Sequence, residues 1–134
     1  MTDDNTFTYI TIAGNFGARN DGYSHSLVFD ATLTDDLNYV LQSDLVDTNS
    51  LAGTPGEELG INQCLFYAVD DKVKLGTRME WWKRDGNSQY AATFGVNVKP
   101  MDNVIIRPEY RYAWSVPGGL GNESTFGVDA ILTY

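Results

Sequence analysis

Arg107, Glu109 and Arg111 recur at every second position of one segment, and Lys74, Arg78 and Glu80 share one parity of another. In extended chain this spacing sends the side chains to one face. Asp30, Asp44 and Asp129 join that face when their own segments are phased alike. Five acids and four bases on one face can do two things. They can pair and fill a closed space, or they can line a water path and sort solutes by charge. Both alternatives stay open here.

Other constellations carry less. Ser24-His25-Ser26 puts a base beside hydroxyls, but strand neighbours point to opposite faces and cannot align for nucleophilic catalysis. Glu80 and Glu109 could form an acid–base pair, yet Arg78, Arg107 and Arg111 beside them favour ion pairing. Asn122-Glu123-Ser124 matches a glycosylation triplet and reads as loop sequence. Gly118-Gly119-Leu120-Gly121 precedes no helix, so it is no phosphate cradle. Asp21, Asp47, Glu57, Glu58, Asp85 and Glu123 are expected in outer loops, where they are solvated or bind divalent cations. The single cysteine, Cys64, allows no intrachain disulfide or thiolate metal cluster and is expected to be a small buried residue. No catalytic residue, metal site or cofactor is expected.

The elements that must carry the charged face show period-two alternation from end to end. Eight segments stand out, at about 7–16, 22–33, 37–47, 59–69, 72–83, 89–99, 103–114 and 124–134. The gaps alternate in length. Thr34-Asp35-Asp36, Asp70-Asp71 and Pro100-Met101-Asp102 are tight; 17–21, 48–58, 84–88 and 115–123 are longer. Short turns at one end and longer loops at the other are the pattern of a membrane meander barrel. An even strand count puts both termini at the short-turn end, the periplasmic side. The segments starting at Leu37, Lys72 and Asn103 each follow an Asp-containing turn, a loose hairpin repeat.

One face of each segment is apolar, as in Phe126, Val128, Ala130, Leu132 and Tyr134. Aromatics decide what that face meets. Phe16, Tyr23, Trp81, Tyr90, Tyr112, Trp114 and Phe126 fall near the long-loop ends; Tyr39, Tyr67 and Tyr134 fall near the short-turn ends. Two aromatic bands around an aliphatic middle are the girdles of a membrane barrel. A soluble core gives large rings no reason to avoid the middle. The fold class expected is all-β: a single eight-stranded antiparallel up-and-down transmembrane β-barrel. Its interior is just filled by side chains, with Gly60, Gly76, Gly95 and Gly127 turned inward to make room for arginines. Pro108 cannot donate to a ladder, so a bulge is expected there. His25, Ser43 and Gln63 fall on the lipid side. In the first segment Ile10 and Ile12 are phased to lipid, and Phe7 and Tyr9 inward.

The bulk numbers bound the function. The chain has 134 residues and a net charge of −9, which disfavours nucleic acid and anionic lipid headgroups. No run of about 18 apolar residues exists, so a membrane helix is excluded. A barrel strand escapes that test, because half of its roughly 9–11 residues are polar. Met1 is followed by Thr2-Asp3-Asp4-Asn5, not by a basic and apolar leader. The expectation is a mature sequence with a start Met, or a piece of a longer chain.

The stretch from Lys99 to Ser115 (KPMDNVIIRPEYRYAWS) and that from Ser124 to Tyr134 (STFGVDAILTY) resemble the C-terminal end of the OmpL-like β-barrel porins. Gly60 to Val69 followed by Val73 to Trp82 looks like the preceding hairpin, and the likeness is fainter before residue 59. Chains of that family are generally much longer. The resemblance implies a bacterial (Gram-negative) outer-membrane location, a porin-like role in solute or ion transport, and no catalytic residues. A final aromatic, Tyr134, after alternating apolar residues resembles the signal read by the outer-membrane assembly machinery. The partners expected are that machinery and outer-membrane lipid, with the barrel a monomer or self-associated. Rival readings are a closed structural barrel with an ion-paired lumen and a soluble lipocalin-like ligand-binding barrel.

Overall fold

The computed structural model describes residues 5–15, 21–49, 55–84, 86–114 and 121–133. They form eight strands: β1 (Thr6–Asn15), β2 (Asp21–Thr34), β3 (Leu37–Asn49), β4 (Pro55–Ala68), β5 (Val73–Arg84), β6 (Asn87–Met101), β7 (Val104–Trp114) and β8 (Glu123–Leu132). Each pairs antiparallel with the next, giving one sheet in chain order. The fold is the expected all-β up-and-down meander. Among the described residues no ladder joins β1 to β8, so the curled sheet has two edges, and the described side chains of both edge strands are exposed.

Local chemistry fixes the tight turns. Asp70 accepts the backbone N–H groups of Lys72 and Val73 at 2.7 and 2.8 Å, holding the β4–β5 reversal. Thr34 Oγ1 accepts the Asp36 N–H at 3.3 Å at the β2–β3 turn. The loop-length alternation fails at one place. Arg84 pairs with Asn87, so the gap expected to be long is a two-residue hairpin, with Gly86 at a φ of +84°. Asp-Gly between alternating segments is the hairpin signal that accounts for it. The β3–β4 hairpin likewise runs further than expected, pairing Asp47 with Glu57 and Asn49 with Pro55. Asp47, Glu57 and Glu58 therefore belong to strands, as do Asp21 and Glu123; Asp85 lies outside the described residues.

Two further expectations are corrected. The register pairs Phe7 with Phe29 and Tyr9 with Leu27, placing both rings on the apolar face. Ile10 and Ile12 stand opposite Ser26 and Ser24 on the charged face instead. β2 dictates this phase, because a one-residue slip would move every β1 side chain across the sheet. At Pro108 there is no bulge. The β6–β7 pairs pass from Gly95–Glu109 to Val98–Ile106 in unchanged register, skipping the two pairs at Pro108 and Arg107; Pro108 has no N–H to give. The irregularity lies between Val98 and Met101, at the turn.

The packing is inverted relative to a soluble domain. The only buried apolar residues described are Ala31, Ala91 and Ala113. Phe94, Phe126, Val128 and Leu132 are each more than half exposed. The surface is 9282 Å², whereas a compact soluble protein of this mass exposes about 7000 Å². An apolar face of this size calls for lipid rather than water.

Candidate functional site: a charged concave face

The register stacks inward side chains in rows. One row runs Cys64, Arg78, Thr93, Arg111, Thr125 across β4 to β8. On its loop side lie Asn62, Glu80, Ala91, Ala113 and Glu123; on its turn side, Phe66, Gly76, Gly95, Glu109 and Gly127. The face thus reads acidic, then basic, then small. Ala91 and Ala113 are 1 % and 3 % exposed. Their short side chains leave a path over β6, along which Arg111 Nε reaches Glu80 Oε2 at 3.1 Å. Arg78 Nε approaches the same oxygen at 3.4 Å. A contact from β7 to β5 on this face requires the face to be concave.

The remaining inward groups spread along it. Arg107 and Asp129 are cross-strand partners and form a two-pronged ion pair, one arm at 2.8 Å. Asp44 takes both its hydrogen bonds from Gln42 Nε2, at 3.1 and 2.8 Å. Asp30 stands opposite Thr6 and Val40, and Lys74 opposite Ala68 and Asn97. Residues missed at the sequence level are Glu58, 3.3 Å from Arg84, and Thr93, Phe66 and Trp82. Parity already turns Thr93, Phe66 and Trp82 to this face, where their uncharged side chains gave no signal; Glu58 needed β4 to be extended to Pro55.

Two hollows lie along this face. One of about 400 Å³, toward the loops, touches Asp44, Glu58, Glu80, Trp82 and Arg111. One of about 450 Å³, toward the turns, touches Arg78, Thr93, Glu109, Arg107 and Asp129. Glu80 lines the first hollow, and Arg78, which shares its carboxylate, lines the second. The inward glycines do not make room for arginine as expected; the space at two of them is taken by rings. A Cβ at Gly76 would sit 3.3 Å from the Phe66 ring, and one at Gly60 3.9 Å from Trp82. Cys64 is half-buried on the wall of the second hollow.

On the outer face Trp81, Tyr90 and Trp114 are successive cross-strand partners. Tyr90 and Tyr112 each stack on Trp114, with centroids 5.8 and 6.0 Å apart. Their polar tips find partners near the loops: Trp81 Nε1 donates to Ser88 Oγ at 3.2 Å, and Asn122 Nδ2 to the Tyr112 hydroxyl at 2.6 Å. Tyr23 lies on the same face beside His25, whose ring also neighbours Tyr9. Ser24 and Ser26 face the other way. Toward the turns Tyr67 sits between Leu37 and Leu75, and Tyr39 donates to Gln63 Oε1 at 2.9 Å. The aliphatic middle is not clean, because Phe94, Tyr110 and Phe126 form a cross-strand row in mid-sheet. Strand tilt makes one row climb from one end of the sheet toward the other, which counting from segment ends does not capture. Phe16 and Tyr134 lie outside the described residues.

An inverted meander with a charged concave face and a ring-banded apolar exterior defines a β-barrel of the membrane class. Over residues 1–134 the chain matches the family described as "Putative beta-barrel porin-2, OmpL-like", and it belongs to that family. The match takes in the first strands as well, where the residue-level likeness is fainter. Among solved structures it is similar to the Neisserial surface protein A (NspA), at 17 % identity and a TM-score of 0.36, covering 96 % of this chain and 94 % of that one. No curated protein matches it.

Proposed function

We propose that the chain is a porin-like passive channel of the bacterial outer membrane, passing small solutes or ions, with both termini periplasmic. The observation that carries this reading is the pair of hollows along the charged face. A lumen meant only as a plug would be packed to the density of a protein interior. The inward Arg, Glu and Asp side chains sort what passes by charge. Outer-membrane lipid covers the apolar face, and the assembly machinery recognises Tyr134 with the alternating apolar residues before it. Chemistry on a substrate has no part in this role.

One observation favours a second reading, a closed structural barrel. Glu80 ties β5 to β7 over β6, and Arg107–Asp129 ties β7 to β8, so charges on the concave face are met by one another. Ion conductance of the detergent-refolded protein across a planar bilayer separates the two, once a boiled-versus-unboiled gel shift has shown insertion. Discrete, reproducible current steps support the channel. Inserted but silent protein overturns it and leaves the closed barrel.

A further inference from the structure

We infer that two copies of this chain close a single barrel, β8 of each pairing with β1 of the other, so that twice eight strands surround the lumen. This rests on the channel reading above, and the second copy supplies half of the lumen wall. Neither edge of the sheet is built to stay free. In hydrocarbon an unpaired edge leaves N–H and C=O groups unmet. Free edges are usually guarded by charges or proline, yet β1 has neither over its ten residues. β8 has no proline, and its Asp129 is engaged by Arg107. As first and last of an eight-strand meander, the two run in opposite directions. They therefore meet antiparallel when both copies stand the same way up in the membrane.

Curvature decides whose β1 meets whose β8. Eight strands closed on themselves bring their inward side chains together until these fill the interior. Here the concave face is not filled. Phe66 on β4, in mid-sheet, is 41 % exposed, and so is the side chain of Arg78 on β5. Hollows remain toward both ends. So open a sheet has the curvature of a wider cylinder, and about 16 strands is where a barrel leaves an aqueous channel. A two-fold axis along the barrel, the commonest symmetry of oligomers, closes it with two identical seams. The sheet also sets their register. The row that starts at Phe7, at the turn end of β1, ends on Ser124, at the loop end of β8. A strand tilt of about 35–45° staggers eight strands by about 8–12 residues, an even number if the faces are to stay in phase. A stagger of about ten, the middle value, sets Ile131 opposite Ile10 on the lumen side and Ala130 opposite Thr11 on the lipid side. Ile10 and Ile131, both exposed on the single sheet, then cover each other.

Native mass spectrometry of the detergent-refolded protein counts the chains. Two per particle is the expected result; one, or three or more, overturns the proposal. A disulfide test locates the seam. Ile10→Cys on one chain and Ile131→Cys on another, each with Cys64→Ser, are refolded together and oxidised with copper phenanthroline. Cross-strand neighbours stand about 4.5–5.5 Å apart at Cα, within disulfide reach. The mixture should give a covalent two-chain band that neither variant gives alone. Its absence overturns the seam, and so does an intrachain disulfide when both substitutions are placed on one chain. If a variant fails the gel-shift test of folding, the chain count on the unmodified protein decides alone. Conductance keeps the two readings apart. A silent two-chain barrel removes the channel and keeps the seam, whereas a conducting single chain removes the seam and keeps the channel.

Discussion

Arg107 on β7 and Asp129 on β8 are cross-strand partners, and the guanidinium meets the carboxylate through two parallel arms. β8 is an edge of the sheet, so this pair is one of the few side-chain ties holding it to its neighbour. Tyr110, which donates to Ser124 Oγ at 3.1 Å, is another. Both ionic groups are reached by solvent, and exposed pairs contribute little to stability. Asp129→Asn and Arg107→Gln should each lower the temperature at which unboiled protein loses its folded gel position, by about a few degrees at most. The charge-swapped double variant should recover part of that loss. Equal losses in the singles and the swap would show that the pair does not fasten β8.

Glu80 holds two guanidiniums, so its removal changes the lumen more than the loss of one charge suggests. Glu80→Gln frees Arg78 and Arg111 together and leaves the middle of the concave face basic. The expected outcome is a shift of the bilayer reversal potential toward anion preference in a salt gradient. Arg78→Gln with Arg111→Gln should shift it the other way. A reversal potential that ignores both changes would place the selective region elsewhere.

Gly76 makes room for a ring. A methyl group there would stand 3.3 Å from two atoms of Phe66, closer than comfortable contact. Gly76→Ala should destabilise the folded barrel by about 1 kcal/mol in urea titration, since small overpacking errors cost that order. Gly127→Ala, where nothing lies within 4 Å, is the control and should be near neutral.

Much of this was legible from parity. Arg107, Glu109, Arg111 and Asp129 share a face because alternation along β7 and β8 is unbroken. The fold class followed from the same alternation and from turn chemistry at Asp35, Asp70 and Asp102. What parity could not supply was the relation between strands. Phe7 and Tyr9 carry their phase only through pairing with Phe29 and Leu27. The reach of Arg111 to Glu80 depends on two alanines lying between them, a fact of register and curvature. A local signal was present in Asp85-Gly86, and there the hairpin rule outweighs the expectation of a long loop. The seam between β1 and β8, unpaired among the described residues, has no sequence signature, because an edge strand alternates like any other.

Tyr39 and Gln63 meet on the face turned to lipid, which explains how a glutamine is tolerated there. In hydrocarbon the amide has no water to fall back on. Tyr39→Phe should cost about 1 kcal/mol, the order measured for hydrogen bonds between membrane-embedded side chains. Tyr39→Phe combined with Gln63→Leu should regain most of it, because both polar partners are then gone. Urea titration of the four proteins closes the cycle; additive losses would mean that the two side chains act independently.

The phase of β1 has the sharpest test, because the two possible assignments predict opposite results. The register turns Tyr9 toward lipid and Ile10 toward the lumen, although both are exposed in the isolated chain. An arginine facing lipid near the bilayer midplane costs about 2–4 kcal/mol, whereas lumen positions tolerate charge. Tyr9→Arg should therefore reduce the folded fraction in lipid vesicles strongly, and Ile10→Arg only weakly. Its guanidinium would point toward Ser26, the cross-strand partner of Asp44. If Ile10→Arg is the damaging change, β1 is slipped by one residue, and with it the wall that Ile10 and Ile12 give the lumen.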